Sequence, residues 1–218
     1  MNLANIGVPD SERIERKVIL SLGQSHLIRP NIFNIGFKKI HESRKISSVY
    51  FDDLYLNALR DNIDGNRERN KIRLRFYNDI VSSSFLEIKQ KRGILGFKEK
   101  ISLSSIGVPS NNLDNILSGV RKWLKIQLAS EFNPVSKINY SREYFQRGHC
   151  RLTIDTNLTS NRLSSSGKNL SFSPANYEVI EFKYNKEYDE EFRSLFESFN
   201  KSYLRVTKSS KYSNSMMF

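Results

Sequence analysis

The chain has 218 residues, 38% hydrophobic and 11% aromatic, which is enough apolar material for one sizeable core and excludes intrinsic disorder of the whole. With 35 Lys and Arg against 23 Asp and Glu it carries a formal charge of +12, so a polyanionic partner or substrate is expected. No apolar run approaches the ~18–20 residues that cross a bilayer, the first ten residues lack a secretory pattern, and a lone Cys150 with three scattered histidines excludes a disulfide framework and a multi-cysteine zinc site. The expected location is the cytoplasm.

In chain order, residues 11–20 alternate Arg13, Glu15 and Lys17 with Ile14, Arg16 and Val18, which predicts a strand. Residues 24–41 place Leu27, Ile28, Phe33, Phe37 and Ile40 at loosely helical spacing around Pro30, so a short broken helix or two turns is expected. Residues 45–53 are β-branched and aromatic and form a second predicted strand, followed by a helical or irregular stretch to the Asp64-Gly65 turn.

The most informative segment follows. Arg69, Lys71, Arg73 and Arg75 alternate with Ile72, Leu74 and Phe76; Glu87, Lys89 and Lys91 alternate with Leu86 and Ile88; Lys98 and Lys100 alternate with Phe97, Glu99 and Ile101. With turns at 78–84 and 92–96, this reads as a three-stranded antiparallel meander having one apolar and one charged face. Residues 111–128 switch to helical period through Leu113, Ile116, Leu117, Val120, Leu124 and Leu128, with Ser110 as the expected cap. Strands are predicted again at 137–146, 150–157 and 177–184, separated by a Ser- and Asn-rich stretch, 159–174, expected to be a mobile loop. Residues 189–199 return to helical spacing, and the tail from Ser202 carries Lys208-Ser209-Ser210-Lys211-Tyr212. About eight strands with a few helices is an α+β composition.

A half-exposed sheet also presents a charged face to water. Here, however, the charge between Arg69 and Lys100 is mostly of one sign, and like charges directly opposed across a sheet are destabilising unless an anion neutralises them. If the strands close into a barrel, the charged faces line a basic tunnel. The minority carboxylates Glu15, Glu87 and Glu181 are then either hard oxygen ligands for Mg²⁺ or Mn²⁺ bridging phosphate, or cross-strand salt-bridge partners. Asp155 is read as orienting a basic residue, Asp52 and Asp53 as capping or turning the chain, Trp123 as core or interface, and Cys150 as an inert buried thiol.

The ordered set Glu15-Arg16-Lys17, Ser48-Val49-Tyr50-Phe51-Asp52, Lys71-Ile72-Arg73-Leu74-Arg75-Phe76-Tyr77 and Leu86-Glu87-Ile88-Lys89, continued by Tyr140-Ser141-Arg142, Arg151-Leu152-Thr153-Ile154-Asp155-Thr156, Val179-Ile180-Glu181-Phe182-Lys183 and Ser210-Lys211-Tyr212, resembles the VTC domain, the polyphosphate polymerase domain of the triphosphate tunnel metalloenzyme superfamily. The resemblance implies one domain over 1–218 with a core at about 11–212, folded as an α+β eight-stranded antiparallel barrel with flanking helices. It also implies transfer of the γ-phosphate of a nucleoside triphosphate, ATP, to a polyphosphate chain threaded through the tunnel.

By the same resemblance, Lys17, Arg73, Arg75, Lys89, Lys98, Arg142, Arg151 and Lys211 form the catalytic lining, while Arg69, Lys71, Tyr140, Lys183, Lys208 and Ser210 bind substrate. Glu181 binds a divalent cation, Mn or Mg, with Glu15 and Glu87 as further candidates. Arg13 stands where hydrolytic relatives carry the first carboxylate of a Glu-x-Glu-x-Lys motif, which favours the polymerase branch. The implied partners are a nucleoside triphosphate and polyphosphate or pyrophosphate, without nucleic acid; with no membrane span of its own, any coupling to translocation would need a membrane-protein partner. Two alternatives stay open: a hydrolase of tripolyphosphate or nucleoside triphosphates on the same scaffold, and a non-catalytic polyphosphate-binding module.

Overall fold

The period-2 segments do become strands, and their alternation decides which side of the sheet each residue faces. The structure, a computed structural model, describes residues 8–9, 13–93, 95–199 and 204–217. Ser11 and Ser202, at the predicted starts of the first strand and the tail, lie outside them. The strands are β1 (Val8–Pro9), β2 (Arg13–Ser21), β3 (Lys38–Asp52), β4 (Glu68–Tyr77), β5 (Phe85–Arg92), β6 (Leu95–Ser102), β7 (Asn133–Arg147), β8 (Cys150–Leu163), β9 (Asn169–Pro174), β10 (Tyr177–Asn185) and β11 (Val206–Thr207). The helices are α1 (Gln24–Asn34), α2 (Asn57–Ile63), α3 (Leu113–Leu128), α4 (Asp189–Phe199) and α5 (Lys211–Met217).

All strands pair antiparallel in one sheet, ordered β1-β6-β5-β4-β3-β7-β8-β10-β2-β11, with β9 added on β8. The expected closed eight-stranded barrel is corrected accordingly. The path holds ten strands, and no backbone pairing among the described residues joins its ends, because β1 occupies the free edge of β6 and β11 that of β2. The sheet nevertheless curls strongly. Lys89 on β5 and Glu15 on β2 lie far apart in strand order, yet their side chains meet at 3.6 Å.

Two helical pads cover the convex face. Helix α3 buries Ile116, Leu117, Val120 and Leu124 against Val49, Phe51, Ile72, Leu74, Leu86 and Ile88. Helices α1 and α4 bury Ile28, Ile32, Phe192 and Leu195 against Val18, Leu20, Phe145, Leu152, Ile180 and Phe182. A fully buried Leu, Ile or Phe contributes about 1.5–3 kcal/mol, so these pads fix which strand face turns outward. The opposite parity is left to the concave face, where a third cluster of Ile46, Tyr50, Ile138, Tyr140, Leu158, Val179 and Tyr212 lies beside the charged residues.

Three further expectations are corrected. Helix α1 runs unbroken through Pro30. Burial of Ile28 and Ile32 and an Arg29–Glu143 ion pair at 2.5 Å hold it against the ~3 kcal/mol that an interior proline costs. The stretch 159–174 is a hairpin: β8 continues to Leu163, which enters the α3 cluster, and Gly167, at φ +90°, turns the chain into β9. The α3 cap is Asn112, whose side chain accepts from the Asn115 amide at 3.1 Å, while Ser110 accepts from the Asn112 amide.

Candidate functional site: a basic channel

Because Leu74, Leu86 and Ile88 are drawn under α3, Arg73, Arg75, Glu87 and Lys89 must face the concave side. Burial of Val18, Ile180, Phe182, Leu152 and Ile154 under α1 and α4 likewise turns Lys17, Glu15, Glu181, Lys183 and Asp155 inward. The strand register then sets neighbours: Arg73 opposite Glu87, Lys71 opposite Lys89, Lys89 opposite Lys98, Lys17 opposite Glu181, Lys183 opposite Glu15 and Arg142 opposite Asp155.

Two ion-pair hubs organise the channel. At the first, buried Glu87 takes Arg73 at 2.6 Å, Lys98 at 2.6 Å and Arg75 at 3.7 Å. Burial alone would raise its carboxyl, yet Arg73, Arg75 and Lys98 bring it down to about 2. The guanidinium groups are aimed by neutral oxygens as well: Arg73 donates to the Tyr50 hydroxyl at 3.2 Å, and Arg75 donates to Ser48 at 3.1 Å and to the Tyr140 hydroxyl at 3.2 Å. At the second hub, fully buried Asp155 receives a two-pronged contact from Arg142 at 2.6 and 2.7 Å and Lys211 at 2.6 Å. Burial opposes its ionisation, and Arg142 and Lys211 overcome this and hold its carboxyl below the ordinary range.

Glu181 and Glu15 complete the acidic set. Lys183 bridges them, at 3.0 Å from Glu181 and 3.1 Å from Glu15, while Arg142 reaches Glu181 at 3.8 Å and Lys89 reaches Glu15 at 3.6 Å. These carboxylates do not ion-pair with every cation around them. Among the described residues the hydrogen-bond partner of Lys71 is a neutral hydroxyl, Ser210 Oγ at 3.0 Å, and burial together with Lys17, Arg69, Lys89 and Arg73 pushes its ammonium down to about 7. Lys17 donates to the Ser209 carbonyl at 3.0 Å.

The tail is brought into the channel by α5. Tyr212 stacks on Tyr50 at 5.0 Å between ring centroids and donates to Asp52 at 2.5 Å; Ser215 bonds Ser136 at 2.8 Å, and Arg162 donates to the Met216 carbonyl at 2.6 Å. These contacts set Ser210 and Lys211 beside Lys71 and Asp155. Asp52 also accepts from the Ala58 and Leu59 amides, and Asp53 from those of Tyr55 and Asn57, which is the expected capping role at α2.

Of the residues singled out from sequence, Lys17, Lys71, Arg73, Arg75, Lys89, Lys98, Tyr140, Arg142, Lys183, Ser210, Lys211, Glu15, Glu87, Asp155 and Glu181 converge on this concave face. Arg69 lies nearer its end and donates to the Asn66 carbonyl at 2.7 Å. Arg151 and Lys208 are exposed, and their side chains make no hydrogen bond or ion pair among the described residues. Ser48, Tyr50 and Tyr212 were not assigned roles from sequence. The parity of the second strand, with Ser48, Tyr50 and Asp52 on one face, was the available signal for the first two. Cys150 is buried, its thiol pushed up to about 12 by burial and Glu191, as an inert thiol should be.

A sequence model of the VTC domain matches residues 12–218. The chain belongs to the VTC domain family. No curated protein matches it. Among solved structures, this VTC domain is similar to a candidate adenylate cyclase from Bacillus halodurans, at 17% identity and TM-score 0.55 over 94% of this chain and 97% of the other. It is also similar to a candidate adenylyl cyclase from Hippeastrum with a dominant triphosphatase activity, at 16% identity and TM-score 0.55 over 94% and 95%. A third, a candidate adenylate cyclase from Vibrio parahaemolyticus, matches at 12% identity and TM-score 0.53 over 93% and 96%. At these identities the likeness is one of fold: a curled, mostly antiparallel sheet with flanking helices.

The VTC domain's carboxylates differ in their fitness for a divalent cation. Glu87 is enclosed by three cations and suits the role of orienting Arg73, Arg75 and Lys98. Glu15 and Glu181 face each other across one lysine ammonium, so a cation is already accommodated between them. Two hard carboxylates on a basic surface fit Mg²⁺ or Mn²⁺, which usually keeps one or two carboxylates and takes its other ligands from phosphate and water. Among the described residues no group of three or more acidic, His or Cys side chains is placed to hold a metal ion.

Proposed function

We propose that this VTC domain is a divalent-cation-dependent polyphosphate polymerase that moves the γ-phosphoryl group of ATP to the terminal oxygen of a polyphosphate chain lying in the basic channel. The observation that carries the reading is Lys71: a half-buried ammonium whose hydrogen-bond partner among the described residues is the neutral Ser210 hydroxyl, and which burial and the neighbouring Lys17, Arg69, Lys89 and Arg73 lower to about 7, supports a channel with uncompensated positive charge. A linear polyanion supplies the missing charge.

In this reading Arg73 and Arg75, pre-aimed by Tyr50, Ser48 and Tyr140, grip phosphate oxygens in bidentate fashion, and Lys98 follows them as Glu87 releases it. Arg142 and Lys211, locked by Asp155, face the same oxygens from across the channel. Lys17, Lys71 and Lys89 continue the lining, with Arg69, Arg151 and Lys208 drawing the chain in from outside. The bond between the β–γ bridging oxygen and the γ-phosphorus breaks, the chain's terminal phosphate oxygen attacks the same phosphorus, and ADP leaves. No proton need be removed from an already anionic acceptor, so positioning and charge neutralisation suffice. A bound Mg²⁺ or Mn²⁺ on Glu181 and Glu15 would add Lewis-acid neutralisation of phosphate charge. The cytoplasm, where ATP is available, is the compartment this reaction asks for.

Hydrolysis of tripolyphosphate or nucleoside triphosphates is the second reading. It is favoured by the seat of α5 on the concave face, where Tyr212 stacks on the Tyr50 ring whose hydroxyl accepts from Arg73, so that part of this face is taken up by the protein's own chain. Incubation with ATP and Mn²⁺ or Mg²⁺, beside an Arg73→Ala/Arg75→Ala control, separates the readings. Polymer on a stained gel with matching ADP, absent in the control, supports the polymerase. Orthophosphate without polymer makes the protein a hydrolase, and neither product with tripolyphosphate still bound leaves a binding module or a polymerase that needs its partner.

A further inference from the structure

Lys183 is held in the free protein by two carboxylates. It lies two residues beyond Glu181 on β10, on the same inward parity, and its register partner on β2 is Glu15. Its Nζ stands 3.0 Å from Glu181 Oε1 and 3.1 Å from Glu15 Oε1, so one ammonium joins the facing oxygens of two carboxylates on adjacent strands. The remaining contacts leave little room for a second cation. Glu181 Oε2 faces Arg142 at 3.8 Å, Glu15 Oε1 also faces Lys89 at 3.6 Å, and Lys17 is the register partner of Glu181. A divalent ion arriving alone would have to displace an ammonium at two ion pairs while approaching four further cations, Arg142, Lys89, Lys17 and Lys211. A triphosphate or polyphosphate changes that balance, because it offers Lys183 other oxygens within reach of its flexible four-carbon stem and cancels the surrounding positive charge.

We propose that Lys183 is a built-in occupant of the divalent-cation position between Glu15 and Glu181, and that it makes metal loading conditional on a bound phosphate chain. The domain then takes its metal as a phosphate complex and stays metal-free without substrate. The inference rests on the reading that these two glutamates hold the metal, and it concerns metal binding, which is measured without turnover. Lys183 is on this account a positioning residue that governs the order of assembly, in addition to a phosphate contact.

The test titrates Mn²⁺ alone into the full chain and follows the free-ion signal by electron paramagnetic resonance, for wild type, Lys183→Met and Lys183→Met/Glu181→Gln, each checked for folding by thermal melting. Lys183→Met is expected to bind Mn²⁺ at least tenfold tighter than wild type, and the double variant to lose that gain. Equal affinity in wild type and Lys183→Met, or a gain that survives Glu181→Gln, overturns the proposal. A second measurement needs no stable Lys183→Met protein: the Lys183 ammonium resonance in wild type, assigned with Lys183→Arg, should be unmoved by Mg²⁺ alone and should shift when Mg²⁺ and tripolyphosphate are added together. A shift with Mg²⁺ alone overturns the proposal. Polymer formation from ATP by wild type is scored separately, so failure here and failure of the polymerase reading are told apart.

Discussion

If a polyanion fills the channel, Lys71 must take up a proton. In the free protein its ammonium is pushed down to about 7 by burial and by Lys17, Arg69, Lys89 and Arg73, against an ordinary value of 10.5. At pH 8 such a group carries about 0.1 proton; phosphate oxygens that restore its ordinary value bring it to nearly one, so binding should take up about 0.9 proton. Between pH 7 and 10 the affinity should accordingly fall about tenfold per unit, or about 1.4 kcal/mol each. The sign for folding is the reverse of a salt-bridged lysine. A depressed lysine costs stability most fully below pH 7, and the cost is relieved as pH rises toward 10.5, where the unfolded chain also loses the proton. Calorimetric titration of tripolyphosphate at pH 8 in two buffers of different ionisation enthalpy reads the uptake directly. Because tripolyphosphate releases protons of its own, the quantity that counts is the difference between wild type and Lys71→Met. Equal proton counts in the two proteins would refute the reasoning, since they would mean that Lys71 is already charged in the free channel or stays neutral in the filled one.

Asp155→Asn removes the charge that compensates buried Arg142 and Lys211, and should cost about 3–5 kcal/mol in urea unfolding, with a loss below 1 kcal/mol counting against a buried hub. Glu87, held at about 2 against an ordinary 4.5, contributes stability that is complete above pH 4.5 and lost as pH falls through 2. Wild type should therefore lose about 3 kcal/mol more than Glu87→Gln between pH 5 and pH 2. Parallel acid profiles would show that Arg73, Arg75 and Lys98 do not hold it ionised. Tyr212→Phe, which removes only the hydroxyl donated to Asp52, should cost about 1 kcal/mol. Tyr212→Ala should cost about 3–5 kcal/mol and also weaken tripolyphosphate binding, because α5 presents Ser210 and Lys211; unchanged binding in a folded Tyr212→Ala protein would show that α5 does not position them.

The meander from β4 to β6 was legible in the chain because its information is local. An apolar residue at every second position must turn toward a core, and the Arg and Lys between them then share a face regardless of what the core is. The VTC motifs were likewise readable as an ordered set, and they pointed to inward residues on strands whose pairing no local pattern reveals. What local pattern could not carry was set by contacts between distant segments. Pro30 argues for a broken helix until Ile28 and Ile32 find the sheet and Arg29 finds Glu143. The polar stretch 159–174 looks like a loop because a largely exposed hairpin needs little apolar alternation, and only its backbone pairing and the anchoring of Leu163 show it as two strands.

The carboxylates make the same point about function. Glu15, Glu87, Asp155 and Glu181 are equivalent in type and parity, and their differences arise from neighbours on other strands: three cations around Glu87, two around Asp155, and one lysine shared between Glu15 and Glu181. Residue type and period therefore determined that this protein would carry a basic sheet face, since both follow from the identity of adjacent residues. Which carboxylate orients an arginine and which shares a lysine with its neighbour was decided by the pairing and curl of the sheet, because a charge acquires its role from partners that only tertiary structure brings within a few ångströms.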